Sequence, residues 1–235
     1  MIKVFIAIES LLYFSFMTGD LFLEAMWFDK VSIVLKLSAI IGCFLFVNAV
    51  FIKHNTNDSN QMRMILFFTV CSDFFLLLTR QFEIGVLLFI LVQVLYAYRI
   101  SVGGNWHIKA FVLLGVAFLL TGYHFIKSGG EYGLLVSVGI FYSILFIWNI
   151  IDLISAEESR FANKSFFLMG LILYAVCDIH VLVYNFPSYF QNNALLRMWY
   201  DFSGIAMWLF YLPGQVLLSL SVVPKTLKIE DKDLK

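Results

Sequence analysis

The chain has 235 residues, of which 61% are hydrophobic, 18% aromatic and 14% charged, and its mean hydropathy is +0.88. A soluble domain is roughly half apolar and about a quarter charged, so this composition belongs to a membrane protein. Formal net charge is zero, which argues against a nucleic-acid partner, and three cysteines without a CxxC spacing offer neither a disulfide framework nor a zinc site.

Apolar runs near membrane length lie at about 2–27, 31–52, 62–79, 82–102, 106–126, 131–154, 165–185 and 196–222, which predicts eight transmembrane helices. The runs lack strand alternation, and in hydrocarbon only helices or closed barrels satisfy the backbone, so the expected fold is an all-α polytopic bundle. The first run carries Glu9 and has no small-residue cleavage pattern before Asp20, so it is expected to be retained as a helix rather than removed as a signal peptide.

The first span places Glu9, Tyr13, Phe16 and Asp20 on one helical stripe. The second contains Lys36, and the third contains Asp73 within "SDFFLLL", ending at Arg80. The fourth aligns Gly85, Phe89, Gln93 and Tyr96; "SVGGN" at 101–105 is a turn to the fifth. The seventh aligns Gly170, Tyr174, Asp178 and Asn185, with His180 on another face. The eighth begins near Arg197 and aligns Asp201, Gly204, Trp208, Tyr211, Gln215 and Ser219, with Pro213 and Gly214 set to kink it. Residues 1–224 form one integral membrane domain and 225–235 a short polar tail.

Eleven Lys and Arg fall on the side of the N-terminus (Lys3, Lys53, Arg63, Arg99, Lys109, Arg160, Lys164, Lys225, Lys228, Lys232, Lys235) against Lys30, Arg80, Lys127 and Arg197 on the other. The positive-inside rule then puts both termini in the cytoplasm. In that frame Asp20, Lys36, Asp73 and Asp178 share one depth, roughly 10 Å below the outer helix ends, where the first acyl carbons of a lipid lie. Ionisable groups inside a membrane are functional by default, whereas Gln93, Gln215 and Asn185 are equally well explained as interhelical glue, typically worth under 2 kcal/mol. His180 is expected to be structural. No HExxH, GxSxG or P-loop pattern occurs, so neither a metal nor a cofactor is implied.

"FTVCSDFFLLL" from Phe68 and "YAVCDIHVLVY" from Tyr174 echo one another, each placing an acid after a Val-Cys pair. With Lys36 in the second span, Gly85, Phe89 and Tyr96 in the fourth, Gly170 and Cys177-Asp178 in the seventh, and Tyr211 and Gln215 in the eighth, the chain resembles the YhhN-type lysoplasmalogenase family. The resemblance covers most of the chain and departs from the family pattern at Leu37, where Pro is frequent, and at Gln93, where His is frequent.

The resemblance implies hydrolysis of the vinyl ether bond of lysoplasmalogens without a cofactor, and the richness in Phe, Ile and Asn with short loops favours a bacterial cytoplasmic membrane. Such chemistry needs a proton donor and a carboxylate that steadies an oxocarbenium ion, as in glycoside hydrolysis. Asp73 and Asp178 are the expected pair, Lys36 and Asp20 their supporting charges, and Tyr96, Tyr211, Gln93 and Gln215 the groups that orient water and substrate. Arg80 and Arg197 are candidates for the lipid phosphate, or solvated interfacial anchors. A proton-coupled transporter or a lipid sensor using the same charged layer is the alternative.

Overall fold

The computed structural model describes residues 1–22, 26–79, 81–101, 133–185 and 193–224, and a few positions between 115 and 127. The described residues form helices and no strand: α1 Ile2–Phe22, α2 Met26–His54, α3 Asn57–Phe74, α4 Phe82–Ile100, α5 Gly133–Ser155, α6 Lys164–Asn185 and α7 Ala194–Leu220. Six of them (α1, α2, α3 with its extension to Thr79, α4, α6 and α7) are long and apolar enough to cross a membrane. The sixth predicted span appears as α5, 23 residues long, within which Gly139–Ser155 is a shorter apolar stretch. Most of the predicted fifth span, Arg80 and the tail after Pro224 lie outside the described residues. The protein is thus an all-helical integral membrane protein.

Helix ends follow local chemistry. Asn55 takes the left-handed backbone (φ 47°) that stops α2, and the Thr56 hydroxyl accepts the Ser59 backbone N–H to start α3. After Asp73 the helix widens into a π-turn over Phe75–Thr79, closed by the Gln81 N–H on the Phe75 carbonyl. Such turns recur at functional sites.

The helices group into two compact units. The first, residues 1–53 and 161–235, holds α1, α2, α6 and α7. Helices α6 and α7 pack closely because Gly170 and Gly214 face each other: a Cβ on either would stand 3.0–3.2 Å from the other's carbonyl oxygen. Tyr174 meets Tyr211 edge-on and Tyr184 stacks on Tyr200 along the same seam. Phe5 stacks on Phe46 between α1 and α2, and Phe28 fills the space that Gly19 leaves.

Pro213 does not interrupt α7, which runs unbroken to Leu220. Proline removes the bond to the carbonyl four residues back, here Leu209, and the Tyr13 hydroxyl of α1 donates to that same oxygen at 3.4 Å. The carbonyl that Pro213 leaves without its backbone donor is thus taken up by a cross-helix bond.

The second unit, residues 54–160, holds α3, α4 and α5. Arg99 at the end of α4 forks onto both carboxylate oxygens of Asp58 at the start of α3 (2.7 and 3.1 Å). At the other end of that hairpin the Ser72 hydroxyl donates to the Gly85 carbonyl at 2.6 Å. Phe141 and Leu145 of α5 pack on Ile90 and Val94 of α4. The opposite side of α5 shows Ile147, Ile151 and Ile154, an exposed apolar stripe suited to lipid.

Candidate functional site

In the first unit, Asp20 on α1 and Lys36 on α2 form an ion pair with Nζ 2.7 Å from Oδ2. The second carboxylate oxygen accepts the Ser32 hydroxyl at 2.6 Å. Ser32 lies one turn before Lys36, so α2 supplies both partners from one face. The ammonium also stands 4.8 Å from the Trp208 ring centre and 5.7 Å from that of Phe16, and those two rings meet edge-on. A cation so placed gains from the faces of both rings. Lys36 was expected to serve Asp73 or Asp178; the partner observed is Asp20.

From Trp208 an aromatic run continues through Tyr211 to Tyr174. Four residues of one α7 stripe, Trp208, Tyr211, Gln215 and Ser219, therefore face inward, and the last three are buried, as their spacing predicts. Asp178 is half-buried on α6 beside the buried Cys177. Asn185, expected on the same stripe, is exposed and donates to its own helix at Val181, and Asp201 at the start of α7 is exposed too. Asn185 is the last residue of α6 and Asp201 lies about two turns into α7, near helix ends where solvent or headgroups compete with the interior for a polar side chain. Arg197 is also exposed there, as either an anchor or a phosphate contact requires.

His180 is buried and faces away from Asp178: its Nδ1 lies 2.9 Å from the Ser203 hydroxyl, and its ring stacks on Phe210. The expected structural role fits these contacts.

In the second unit Asp73 is 4% exposed, held on α3 between the Ser72–Gly85 bond and the π-turn. Gly85 is needed there, since a Cβ would come to 2.5 Å from the Leu76 side chain. Tyr96 is fully buried. Gln93 is fully buried as well, and its amide is engaged at both ends: the carbonyl accepts from Asn149 at 2.9 Å and the NH2 donates to Tyr142 at 3.3 Å. Asn149 also donates to the Gln93 backbone carbonyl, which makes Gln93 the α4–α5 joint.

Searches of family models, curated proteins and solved structures find no match to the chain.

Three contributors escaped the sequence. Ser32 and Tyr142 were passed over as single hydroxyls in apolar runs, although each stands at helical spacing from a polar neighbour. Asn149 was the clearest missed signal, an amide in the middle of a predicted span, where a polar group without a partner is costly. Among the described residues no cluster of three metal-ligating side chains occurs.

Proposed function

We infer that the chain is a membrane-embedded hydrolase that cleaves the vinyl ether bond of lysoplasmalogens, releasing a fatty aldehyde and a glycerophospho-ethanolamine or -choline. It is an eight-span protein of a bacterial cytoplasmic membrane with both termini cytoplasmic. The observation that carries this reading is Asp73, a carboxylate buried on a membrane-spanning helix just before a π-turn. The resemblance in motif order supports it, as does Asp178 within the echoed Val-Cys-Asp segment.

In the proposed reaction one carboxylic acid gives its proton to the alkene carbon while the ether oxygen's electrons form an oxocarbenium ion. The second carboxylate steadies that cation and takes a proton from the water whose oxygen bonds to it. The resulting hemiacetal breaks its bond to the glycerol oxygen, which leaves with a proton as the alcohol, and the aldehyde remains. Asp73 and Asp178 take these two parts. Tyr96, Tyr211 and Gln215 orient water and substrate; Gln93 acts at one remove, by fixing α4 against α5. The Lys36–Asp20 pair lines the headgroup side, and Arg80 and Arg197 hold the phosphate.

The test is aldehyde release from a lysoplasmalogen by purified protein, beside an ester lysolipid. Wild type releases aldehyde, and Asp73→Asn or Asp178→Asn lowers kcat by at least about 100-fold, the low end for loss of a general acid or base, while each variant stays monodisperse. Undiminished turnover in either variant defeats the carboxylate pair. A proton-coupled transporter is the competing reading, favoured by the buried acid Glu9 in α1. It predicts gradient-driven flux in liposomes and no aldehyde.

A further inference from the structure

Glu9 has no part in the proposed hydrolysis, yet it sits in the interior of the first unit at 3% exposure, with both carboxylate oxygens buried and without a hydrogen-bond partner among the described residues. Its Oε1 occupies the space beside Gly42 of α2 that any larger residue's Cβ would take. Next to Gly42, the Cys43 thiol is fully buried and comes close to Ser219 of α7. The Ser219 hydroxyl in turn donates to the Gln215 carbonyl one turn earlier. Gln215 is fully buried, and its side-chain oxygen and nitrogen also lack partners among the described residues.

Tyr13 of α1 reaches Leu209 of α7 and Phe16 meets Trp208, so the helices run antiparallel and Glu9, one turn below Tyr13, comes level with the turns of α7 around Pro213 to Gln215. Two buried polar side chains with unused atoms thus share one neighbourhood. An isolated carboxylate in such surroundings is costly unless something positive joins it. Protein cations do not fill that role: Glu9 forms no ion pair among the described residues, and Lys36 is committed to Asp20. Asp20 is eleven residues up α1, roughly 16 Å away. The titratable groups on the packed helices are the Cys43 thiol of α2, the Tyr13 phenol of α1, Tyr211 of α7 and Tyr174 of α6, which are ordinarily uncharged near neutral pH.

We propose that Glu9, Gln215 and Ser219 form a binding site for a monovalent cation, sodium or hydronium, between α1, α2 and α7. The carboxylate supplies the charge, the Gln215 amide oxygen and the Ser219 hydroxyl supply hard neutral ligands, and Gly42 supplies the room. The site shares Gln215 with the ether-hydrolysis reading, but Glu9 and Ser219 have no part in that reaction, and ion-dependent stability is read without any substrate, so the two readings can fail separately.

The experiment is thermal unfolding of the full chain in detergent, in sodium chloride or choline chloride at equal ionic strength, at pH 6 and pH 8.5, for wild type and Glu9→Gln. If sodium is the ligand, it raises Tm at pH 8.5 by about 3–6 °C at tenfold excess over its Kd, and Glu9→Gln removes the rise. If hydronium is the ligand, sodium has no effect, wild type gains stability as pH falls because the folded state takes up the proton, and that gain is absent in Glu9→Gln. Should Glu9→Gln fail to fold, Ser219→Ala and Gln215→Leu serve in its place, each expected to weaken the sodium or proton midpoint at least about tenfold, the scale of one lost ligand contact. A wild type whose stability responds to neither ion, or responds as much in the variants, overturns the site.

Discussion

At the scale of single residues, burial decides what a charge is worth. The Arg99 side chain has no exposure while its partner Asp58 keeps 17%, so the two halves of this pair are unequal. Asp58→Asn takes the paired carboxylate from a desolvated guanidinium and is expected to cost about 3–5 kcal/mol, the usual penalty for breaking a buried pair from one side. Arg99→Met strands a carboxylate that can still reach water, and its cost is expected to be smaller by about 1 kcal/mol or more. Unfolding of the two variants in one detergent checks the order; equal costs would mean that Arg99 is also solvated. The Lys36–Asp20 pair keeps exposure at both ends (12% and 24%), and there the rings of Trp208 and Phe16 hold the ammonium alongside the carboxylate.

At the scale of elements, two α7 features make opposite demands on its neighbours. Pro213 frees the Leu209 carbonyl, and Tyr13 takes it up. Tyr13→Phe is therefore expected to cost about 1 kcal/mol in the native chain, the net worth of one hydrogen bond. It is expected to cost nothing once Pro213→Ala restores the backbone donor. A double-mutant cycle measures this directly, and an unchanged cost in the Pro213→Ala background would assign Tyr13 a different role. Gly214 makes the second demand, near contact with Gly170. Gly170→Ala meets Leu218 at 2.7 Å and the Gly214 carbonyl at 3.0 Å, and is expected to destabilise by about 1–3 kcal/mol through overpacking. Gly139→Ala in α5 meets nothing within 4 Å and is expected to gain up to about 1 kcal/mol of helix propensity. If both substitutions move stability the same way, the α6–α7 contact is looser than its geometry.

At the scale of the whole molecule, the sequence made visible what depends on period and hydropathy. The spans that became α1 to α4, α6 and α7 lie within a few residues of their predicted places, because about 20 apolar residues and a bounding turn suffice to mark them. The inward stripes were legible for the same reason at Glu9, Phe16, Gln93, Tyr174, Tyr211 and Gln215. Choice of partner was not legible. That Lys36 would pair with Asp20, Gln93 with Asn149 and Tyr13 with Leu209 depends on how helices distant in sequence approach one another, and spacing within one helix carries no record of that.

Orientation rests on charge and is open to a separate test. Eleven basic residues on one side against four on the other predict that a reporter fused after the tail and one fused after Arg160 are both active on the cytoplasmic face. A reporter fused after Lys127 is expected on the opposite face, because the fifth predicted span would then have crossed. If the Lys127 fusion is cytoplasmic instead, the segment at 106–126 does not span, and the chain has one crossing fewer before α5. Asp178 on α6 and Asp73 on α3 would then enter the membrane from opposite directions to those proposed relative to one another, their shared depth would be lost, and the paired-carboxylate mechanism would fall with it. The topology experiment is thus also a test of the chemistry, made without any substrate.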